Sequence, residues 1–170
     1  DPRLLVKSPA LRAERVERGL PADPVKVGIV SAAKLPANSR FLRAGSGKVI
    51  LFTTKQTPDE MLSRLREAGA YLFVLGEERV DLRAAMARLA ELGIEKVMVE
   101  GGGTLIAALL TEGLVDEIHA YIAPRIFGGS TAPTLADGEG MLDGVVLQLL
   151  DVERLEDGGI LVKYSVVNAV

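Results

Sequence analysis

The sequence predicts an α/β protein whose mixed, mainly parallel sheet is flanked by helices and ends in an antiparallel C-terminal hairpin. Residues 26–112 alternate short apolar segments with segments of helical spacing, a pattern typical of parallel strands joined by right-handed crossovers. Residues 145–155 and 160–167 are two long strand-like segments joined by Glu-Asp-Gly-Gly, which indicates a hairpin. We expect residues 1–170 to form a single domain.

Composition narrows the possible classes of function. The chain has 170 residues, 48% of them hydrophobic, and a net charge of −3, so it can bury a core and offers no basic run to nucleic acid. It has no cysteine and one histidine, so we expect no disulfide and no metal site. No apolar run approaches the roughly 20 residues of a membrane span. We expect a cytoplasmic protein with neither a signal peptide nor a membrane segment.

The N-terminal part of the chain is predicted to contain one helix and two strands. Residues 9–20 carry the mixed charges of a solvent-exposed helix, which stops at Gly19. Lys26–Ser31 is a predicted strand, and residues 32–47 are predicted to be irregular because proline and glycine interrupt them. Lys48–Thr54 is the second predicted strand.

Two helices with recognisable ends surround the third predicted strand. Thr57 and Pro58 predict a helix start with a threonine cap and proline at the first helical position. Residues 71–75 form the third strand. Asp81 is predicted to open the next helix, and Gly93 to close it.

The segment Lys96–Ile106 is the centre of the predicted architecture. Val97–Val99 is a short apolar run bounded by charge, which predicts a buried strand covered on both faces. Gly101–Gly103 then form a turn, and helical spacing begins at Thr104. A helix start has unpaired N–H groups and a partial positive charge, and glycine lets an anion approach them closely.

Two interpretations of this glycine turn are open. Three consecutive glycines exceed what a strand-to-helix turn requires, which favours binding of a phosphate or dinucleotide. The alternative is a tight turn in which one or two glycines adopt a positive φ. The spacing is not the dinucleotide fingerprint G-x-G-x-x-G, because residue 106 is Ile, and no Gly-Lys-Ser/Thr of a Walker loop follows.

Two further polar residues have a functional and a bland interpretation. Glu100 ends the predicted strand beside the glycine turn, where its carboxylate could accept two parallel N–H bonds from an aminopyrimidine, or could simply be solvated. His119 lies on the polar side of a strand predicted over Val115–Ala123, which favours a surface histidine over a catalytic one. Residues 124–140 are predicted to be a loop.

The chain resembles a known family in two segments. VMVEGGGTLIAALLTEGLVDEIHAYIAPRIFGGSTAPTL resembles the C-terminal reductase domain of riboflavin biosynthesis, which is similar in fold to dihydrofolate reductase. The opening DPRLLVKSP resembles the family motif Asp-Pro-x-Leu-x-Val-Arg, with Lys7 in place of the usual arginine. Family members carry some tens of residues before the position of Asp1, so the resemblance implies a domain that is incomplete at its N terminus.

The resemblance implies an NADPH-dependent oxidoreductase of riboflavin biosynthesis. In that family a hydride passes from nicotinamide C4 to C1′ of a phosphoribosylamino-pyrimidine, and the ribosyl chain becomes ribityl. The activity would be that of a 5-amino-6-(5-phosphoribosylamino)uracil reductase or of its 2,5-diamino-pyrimidinone equivalent, and the order of reduction and deamination stays open. The reaction requires positioning more than a strong acid or base, so no catalytic residue is identified.

The resemblance also assigns contacts residue by residue. It places substrate contacts on Leu4, Lys7 and Glu100, and a cofactor contact on Ser31. The remaining cofactor contacts are Gly102, Gly103, Thr104, Leu105, Ile106, Ala107 and Ala108. In the similar dihydrofolate reductase fold a strand end such as residues 53–55 meets the adenosine 2′-phosphate, so either Lys55 or the hydroxyls of Thr53 and Thr54 are expected to favour NADPH over NADH.

The sequence also predicts the oligomeric state, and it leaves two alternative functions open. Val145 to Leu150 is apolar on both faces of its strand, which one core cannot easily cover, so we expect a homodimer. One alternative is a different reductase of the dihydrofolate reductase type, acting on another pterin or pyrimidine. The other is a non-catalytic nucleotide-binding module that retains the fold.

Overall fold

The computed structural model describes residues 1–33, 35–36, 38–129, 132, 134–138 and 144–167. Residues 130, 131, 133, 139 and 140 of the predicted loop over 124–140 lie outside this part of the chain. The chain divides into two compact units, Asp1–Leu92 and Gly93–Val170. Each unit is described by itself.

The first unit is a three-stranded parallel sheet with four helices. Its strands lie in the order β1-β2-β3, with Lys26 opposite Val49 and Val49 opposite Ala70. The elements are α1 (Pro9–Glu17), β1 (Lys26–Ile29), α2 (Arg40–Arg43), β2 (Val49–Thr53), α3 (Asp59–Glu67), β3 (Ala70–Val74) and α4 (Leu82–Glu91). The three predicted strands and three predicted helices of this part are therefore confirmed.

The central strand β2 carries the core of the first unit. All five of its residues are buried, and the rings of Phe52 and Phe73 on neighbouring strands stack at 5.5 Å between centroids. Leu65 of α3 belongs to this core and is completely buried. Leu89 of α4 is also almost completely buried. A strand with neighbours on both edges and cover on both faces reads as a continuous apolar run, as this one does.

The two helix starts predicted in this unit differ in outcome. Asp81 caps α4 as expected, because its Oδ1 accepts the Ala84 amide at 2.9 Å. Thr57 does not cap α3, whose N-cap is Pro58 without a side-chain hydrogen bond. The hydroxyl of Thr57 instead accepts the amide of Ala33 at 2.9 Å, so a contact distant in sequence has replaced the local one.

The short helix α2 lies inside the segment that the sequence predicts to be irregular. The Asp1 carboxylate accepts the amides of Arg40 and Phe41 at 2.8 and 2.9 Å, at the start of this helix. At its end the buried ammonium of Lys26 donates to the carbonyls of Phe41 at 2.5 Å and Ala44 at 2.7 Å. Opposite charges at the two ends match the helix dipole. Burial lowers the pKa of Lys26.

The second unit contains one helix and a three-stranded antiparallel sheet among its described residues. The helix is α5 (Gly103–Thr111), and the strands are β4 (Glu117–Ile122), β5 (Val146–Arg154) and β6 (Ile160–Val167). The sheet order is β4-β6-β5, with a register irregularity between Leu149 and Asp151. The predicted C-terminal hairpin is β5 and β6. The predicted fold class is therefore confirmed, with the strands in two three-stranded sheets.

The strand predicted over Val97–Val99 is wrong. Residues 94–100 have no regular secondary structure, and Met98 is 80% exposed. The run has the composition of a buried strand, but a strand also requires a hydrogen-bonded neighbour. Within the described residues this segment pairs with neither sheet. The helix predicted to follow it is confirmed as α5.

The helices of the described residues are short. The longest, α4, has 10 residues, and none of them is long and apolar enough to cross a membrane.

Candidate cofactor and substrate sites

The glycine turn leads directly into α5. Gly102 is the N-cap of this helix, with φ at +39°, and its carbonyl accepts the amides of Leu105 and Ile106 at 3.0 and 3.2 Å. Glycine has no side chain with which to cap, so the leading amides of α5 stay available to a ligand. A Cβ added to Gly101 or Gly102 would meet nothing within 4 Å. The space over these two glycines is therefore open to a phosphate-sized group.

A carboxylate lies on the other side of this turn. A Cβ on Gly103 would overlap the Asp137 carboxylate and would lie 2.9 Å from the Asp137 backbone nitrogen. The hydroxyl of Thr134 donates to the Asp137 carboxylate, which orients it. Glycine at residue 103 is thus required for the close approach of Asp137. A negative charge at this place opposes an anion at the same helix start.

The helix α5 carries the rest of the predicted cofactor contacts. Thr104 is exposed, and residues 105–108 are half-buried, whereas Leu109 and Leu110 are buried. The first turn of α5 is therefore its accessible part, as a ligand contact requires. Glu100 is exposed and lies in the irregular segment before the turn, so the prediction that it ends a strand is wrong, and its substrate contact stays a prediction.

The first unit holds the predicted contact Ser31, two residues beyond the end of β1. Its side chain is exposed, while its backbone carbonyl accepts the Thr54 hydroxyl at 2.5 Å and the Thr53 hydroxyl at 3.4 Å. Both threonines are fully buried. Their hydroxyls are therefore bonded inside the protein, which argues against the expectation that they contact a 2′-phosphate. Lys55 is exposed and paired with Glu77 at 2.5 Å.

The predicted substrate contacts Leu4 and Lys7 lie on the N-terminal segment of the same unit. Leu4 is half-buried against the core cluster and has a φ of +48°, which is unusual for a residue other than glycine. Lys7 is exposed and can meet an anion as a point charge. The segment is fixed at Asp1 by α2 and at Val6, whose carbonyl accepts from Arg12 at 3.4 Å.

Arg12 also forms the buried ion pair of the first unit. Its guanidinium donates to both carboxylate oxygens of Asp23, which is only 2% exposed. The amide and hydroxyl of Ser46 donate to the same carboxylate at 3.2 and 3.3 Å. These hydrogen bonds, above all the one from Arg12, hold the pKa of Asp23 below its usual value. The pair ties α1 to the loop before β1, and the Ser46 hydrogen bonds tie that loop to the one after α2.

A cavity of about 240 Å³ lies beside the N-terminal segment. It is lined by Asp1, Pro2, Gly28, Val30, Leu35, Phe41 and Leu51. Of these residues only Asp1 is charged, and its carboxylate is already bonded to α2. The cavity therefore suits an apolar group better than a phosphate, and we assign neither predicted ligand to it.

In the second unit a shallow cavity of about 350 Å³ lies near the end of β4. Tyr121 and Asp157 line it and are bonded to each other at 2.6 Å, which raises the pKa of the tyrosine and lowers that of the aspartate. His119 is half exposed and lies 2.9 Å from Glu117, in keeping with a surface histidine. Among the described residues no three His, Asp or Glu side chains are arranged to hold a metal ion.

Two features of these sites were not predicted from the sequence. Asp137 lies in a segment predicted only as a loop, and its position against Gly103 depends on a contact 34 residues away in the chain, which no local pattern reveals. The threonine cluster at residues 53, 54 and 57 was interpreted by local position, as a strand end and a helix cap. The density of threonines around that turn was the available signal.

Comparison with known proteins assigns the family. The family model of the RibD C-terminal domain matches residues 1–161. The chain is 37% identical over 158 residues to a 2,5-diamino-6-ribosylamino-4(3H)-pyrimidinone 5′-phosphate reductase of Archaeoglobus fulgidus, covering 93% of this chain and 70% of that protein. It is 38% identical over 166 residues to the protein of the same name from Methanothermobacter thermautotrophicus, covering 96% and 76%.

The fold agrees with this assignment. A crystal structure of a pyrimidine reductase-like protein from Corynebacterium diphtheriae superposes with a TM-score of 0.78, covering 97% of this chain and 70% of that one. The sequence identity is 21%, so this likeness concerns the fold alone. The family model, the two relatives and the fold lead to one conclusion: the chain belongs to the RibD C-terminal domain family.

Proposed function

We propose that the protein is a reductase of riboflavin biosynthesis that reduces a phosphoribosylamino-pyrimidine to the ribitylamino-pyrimidine with NADPH. The observation that carries this proposal is the family match over residues 1–161, together with two relatives named as pyrimidinone phosphate reductases. We take the 2,5-diamino-pyrimidinone as the first candidate substrate because both relatives are named for it. The corresponding 5-amino uracil compound is the second candidate. We also propose that the protein is cytoplasmic.

The glycine turn supports a nucleotide cofactor. Gly101 and Gly102 leave open space beside the amides of α5, which suits a phosphate. NADPH supplies the hydride when it is bound. The residues of the chain would bind and orient this cofactor. The first turn of α5 would hold one of its phosphates, and Ser31 would be a further contact. Lys7 would pair with the substrate phosphate, and Glu100 would accept N–H bonds from the pyrimidine.

Turnover tests the proposal directly. Purified protein is mixed with NADPH and each candidate pyrimidine, and NADPH consumption is followed by absorbance while mass spectrometry identifies the product. We expect consumption only with a phosphoribosylamino-pyrimidine, and a product heavier by two hydrogens. NADPH binding without consumption would support the alternative of a non-catalytic module. Consumption with a pterin alone would support the other alternative.

Gly102→Val tests the phosphate contact. The valine side chain fills the open space over the turn, so the NADPH dissociation constant should rise at least about tenfold, or about 1.4 kcal/mol. Gly19→Val is a matched control, because Gly19 also has positive φ and open surroundings but lies after α1. Unchanged NADPH affinity in folded Gly102→Val protein would remove the turn from the cofactor site.

Glu100→Gln tests the substrate contact. Glutamine keeps the shape but presents a donor where the pyrimidine also has a donor, a mismatch that costs roughly 1–3 kcal/mol. We expect kcat/KM for the pyrimidine to fall about tenfold to a hundredfold while NADPH affinity is retained. The reverse pattern, with NADPH affinity lost and substrate affinity normal, would move Glu100 to the cofactor. An unchanged enzyme would leave it as a solvated carboxylate.

We also propose a homodimer formed through β5. All nine residues of this strand are exposed, including Val146, Leu149, Leu150 and Val152, each more than half exposed. Apolar side chains exposed on both faces of one strand are a recognised mark of an interface.

A further inference from the structure

Three buried threonine hydroxyls surround the backbone that follows β1. Thr53 and Thr54 are fully buried and Thr57 is 3% exposed. Thr53 ends β2, and the other two lie in the connection between β2 and α3. A buried hydroxyl stabilises a fold only if its hydrogen bonds are made. The partners of these hydroxyls therefore indicate their role.

The hydroxyls of Thr57 and Thr53 form a hydrogen-bonded chain between two backbone groups. The Ala33 amide donates to Thr57 Oγ1 at 2.9 Å, and Thr57 Oγ1 lies 2.6 Å from Thr53 Oγ1. Thr53 Oγ1 donates to the Ser31 carbonyl at 3.4 Å. Each hydroxyl has one proton, so Thr57 donates to Thr53 in the arrangement that gives every donor an acceptor. Two side chains thereby connect the amide of Ala33 to the carbonyl of Ser31.

The hydroxyl of Thr54 binds the same Ser31 carbonyl. Thr54 Oγ1 donates to the Ser31 carbonyl at 2.5 Å and accepts the Gln56 amide at 3.2 Å. The Ser31 carbonyl therefore receives two hydroxyl hydrogen bonds. Among the described residues, no buried side-chain nitrogen or oxygen lacks a hydrogen-bond partner, so the cluster is fully satisfied.

The cluster begins where the sheet ends. The Val30 amide donates to the Phe52 carbonyl at 3.0 Å, which continues the pairing of β1 with β2 by one residue. From Ser31 onward, the threonine side chains replace the neighbouring strand as partners of the backbone. The exposed side chain of Ser31 is thus presented from backbone that is fixed on its buried side. Loops at the carboxyl ends of parallel strands are where α/β proteins bind ligands.

We infer that Thr53, Thr54 and Thr57 are positioning residues for cofactor binding, which act by fixing the backbone of Ser31. The inference rests on the proposed function, in which Ser31 contacts NADPH. Loss of the Thr57 hydroxyl leaves the Ala33 amide without its acceptor, and loss of the Thr54 hydroxyl removes one of the two donors to the Ser31 carbonyl. Either loss lets residues 31–33 leave their place. Cofactor binding weakens, while the reaction of bound cofactor and substrate is unaffected.

Thr57→Val is the main test, because valine keeps the shape and leaves the Ala33 amide without its acceptor. We expect the dissociation constant and KM for NADPH to rise about tenfold, or about 1.4 kcal/mol. The kcat at saturating NADPH should stay within about twofold of wild type. Thr57→Ser keeps a hydroxyl and should restore NADPH affinity. Thr54→Val should act in the same direction, and it decides the matter if Thr57→Val does not fold.

Asp81→Ala separates positioning from loss of stability. It removes a side-chain hydrogen bond to a backbone amide in the same unit, at the start of α4. It should lower Tm in the same way as the threonine variants and leave NADPH affinity unchanged. The inference is overturned if the valine variants bind NADPH like wild type, if Asp81→Ala weakens binding equally, or if Thr57→Ser fails to restore it.

The wild-type protein distinguishes the two levels of the proposal. If it neither binds NADPH nor reduces a phosphoribosylamino-pyrimidine, the proposed function is wrong and the inference is wrong with it. If it does both, and the valine variants match it, only the role of the threonines is wrong.

Discussion

The strands β2 and β5 both carry at least four apolar residues but have opposite surroundings. In β2 all five residues are buried, and the threonine that ends it is buried together with its hydroxyl partners. In β5 all nine residues are exposed, leucines and valines included. β2 is the central strand of its sheet, whereas β5 is an edge strand. Apolar sequence therefore indicates a tendency to be covered, while position in the sheet decides whether the unit itself provides the cover.

The polar groups follow the same division. The first unit buries Asp23, Lys26 and three threonines, and gives each of them hydrogen-bond partners. Such groups are costly to bury and specify one arrangement once satisfied. In the second unit, the ion pair between Lys163 and Asp151 lies at the surface, where it contributes little. The first unit thus pairs its polar groups in its interior, whereas this ion pair of the second unit lies at the surface.

The largest expected effect is on stability, and it comes from truncating an apolar side chain in each of the two strands. Phe52→Ala removes a fully buried ring from β2 and should lower the free energy of unfolding by about 4 kcal/mol. Leu150→Ala in β5, where the side chain is 53% exposed, should change it by about 0.5 kcal/mol or less at monomer concentrations. Urea unfolding gives both values. Equal losses would show that β5 is covered within the chain and would break the comparison.

The next effect concerns the cover of β5. If a second copy covers this strand, Leu149→Lys places a charge in the interface and should raise the dimer dissociation constant at least about a hundredfold, or about 2.7 kcal/mol. Gln56→Lys adds the same charge at an exposed residue outside β5 and is the matched control. Light scattering over a concentration series measures both. A monomeric wild-type protein at micromolar concentration would contradict the proposed dimer.

The buried ion pair gives a smaller effect with a defined dependence on pH. Asp23→Asn removes the charge that Arg12 faces and should cost about 2 kcal/mol at neutral pH. The folded-state pKa of Asp23 lies below its unfolded value, so the stabilisation is complete above the unfolded pKa and is lost as pH falls through the folded pKa. The stability difference between wild type and Asp23→Asn should therefore shrink below about pH 4.

Unfolding by urea at a series of pH values measures this difference. Glu67→Gln removes an exposed charge at the end of α3 and serves as the control, with a change within about 0.5 kcal/mol. A difference between wild type and Asp23→Asn that stays constant down to pH 3 would show that the Asp23 carboxylate is not stabilised in its charged form.

The smallest effect concerns the carboxylate of the second unit. Asp137→Asn removes the negative charge beside Gly103 and should strengthen NADPH binding by about threefold, as expected for relief of a partly screened repulsion. Asp116→Asn, an exposed change elsewhere in this unit, is the control. Isothermal titration at low salt measures the affinities. Weaker NADPH binding in Asp137→Asn would mean that the carboxylate helps the cofactor to bind.

Local signals in the sequence predicted most of the secondary structure. The start of α4 follows from Asp81 and its end from Gly93, because a cap and a left-handed glycine act within one turn of a helix. The hairpin of β5 and β6 follows from its turn for the same reason. The residues that determine these elements are close to them in sequence.

The failures share a different cause. The helix α2 depends on Asp1 and Lys26, which are distant from it in sequence, so its own four residues give no signal. Thr57 has the pattern of a helix cap, but its hydroxyl oxygen accepts a hydrogen bond from the Ala33 amide instead. Val97–Val99 has the composition of a strand without a hydrogen-bonded neighbour in the described chain. Contacts between distant residues decided each case, and the same is true of the candidate sites.

The dependence of α2 on Asp1 has a consequence for local opening of the folded protein. A helix of four residues is not stable alone, so the amides of Arg40 and Phe41 become protected only when Asp1, 39 and 40 residues away, has docked. In hydrogen exchange these two amides should therefore open together with the N-terminal segment that carries Leu4 and Lys7. Their exchange rates would report how often that segment leaves the body of the first unit, without any ligand present.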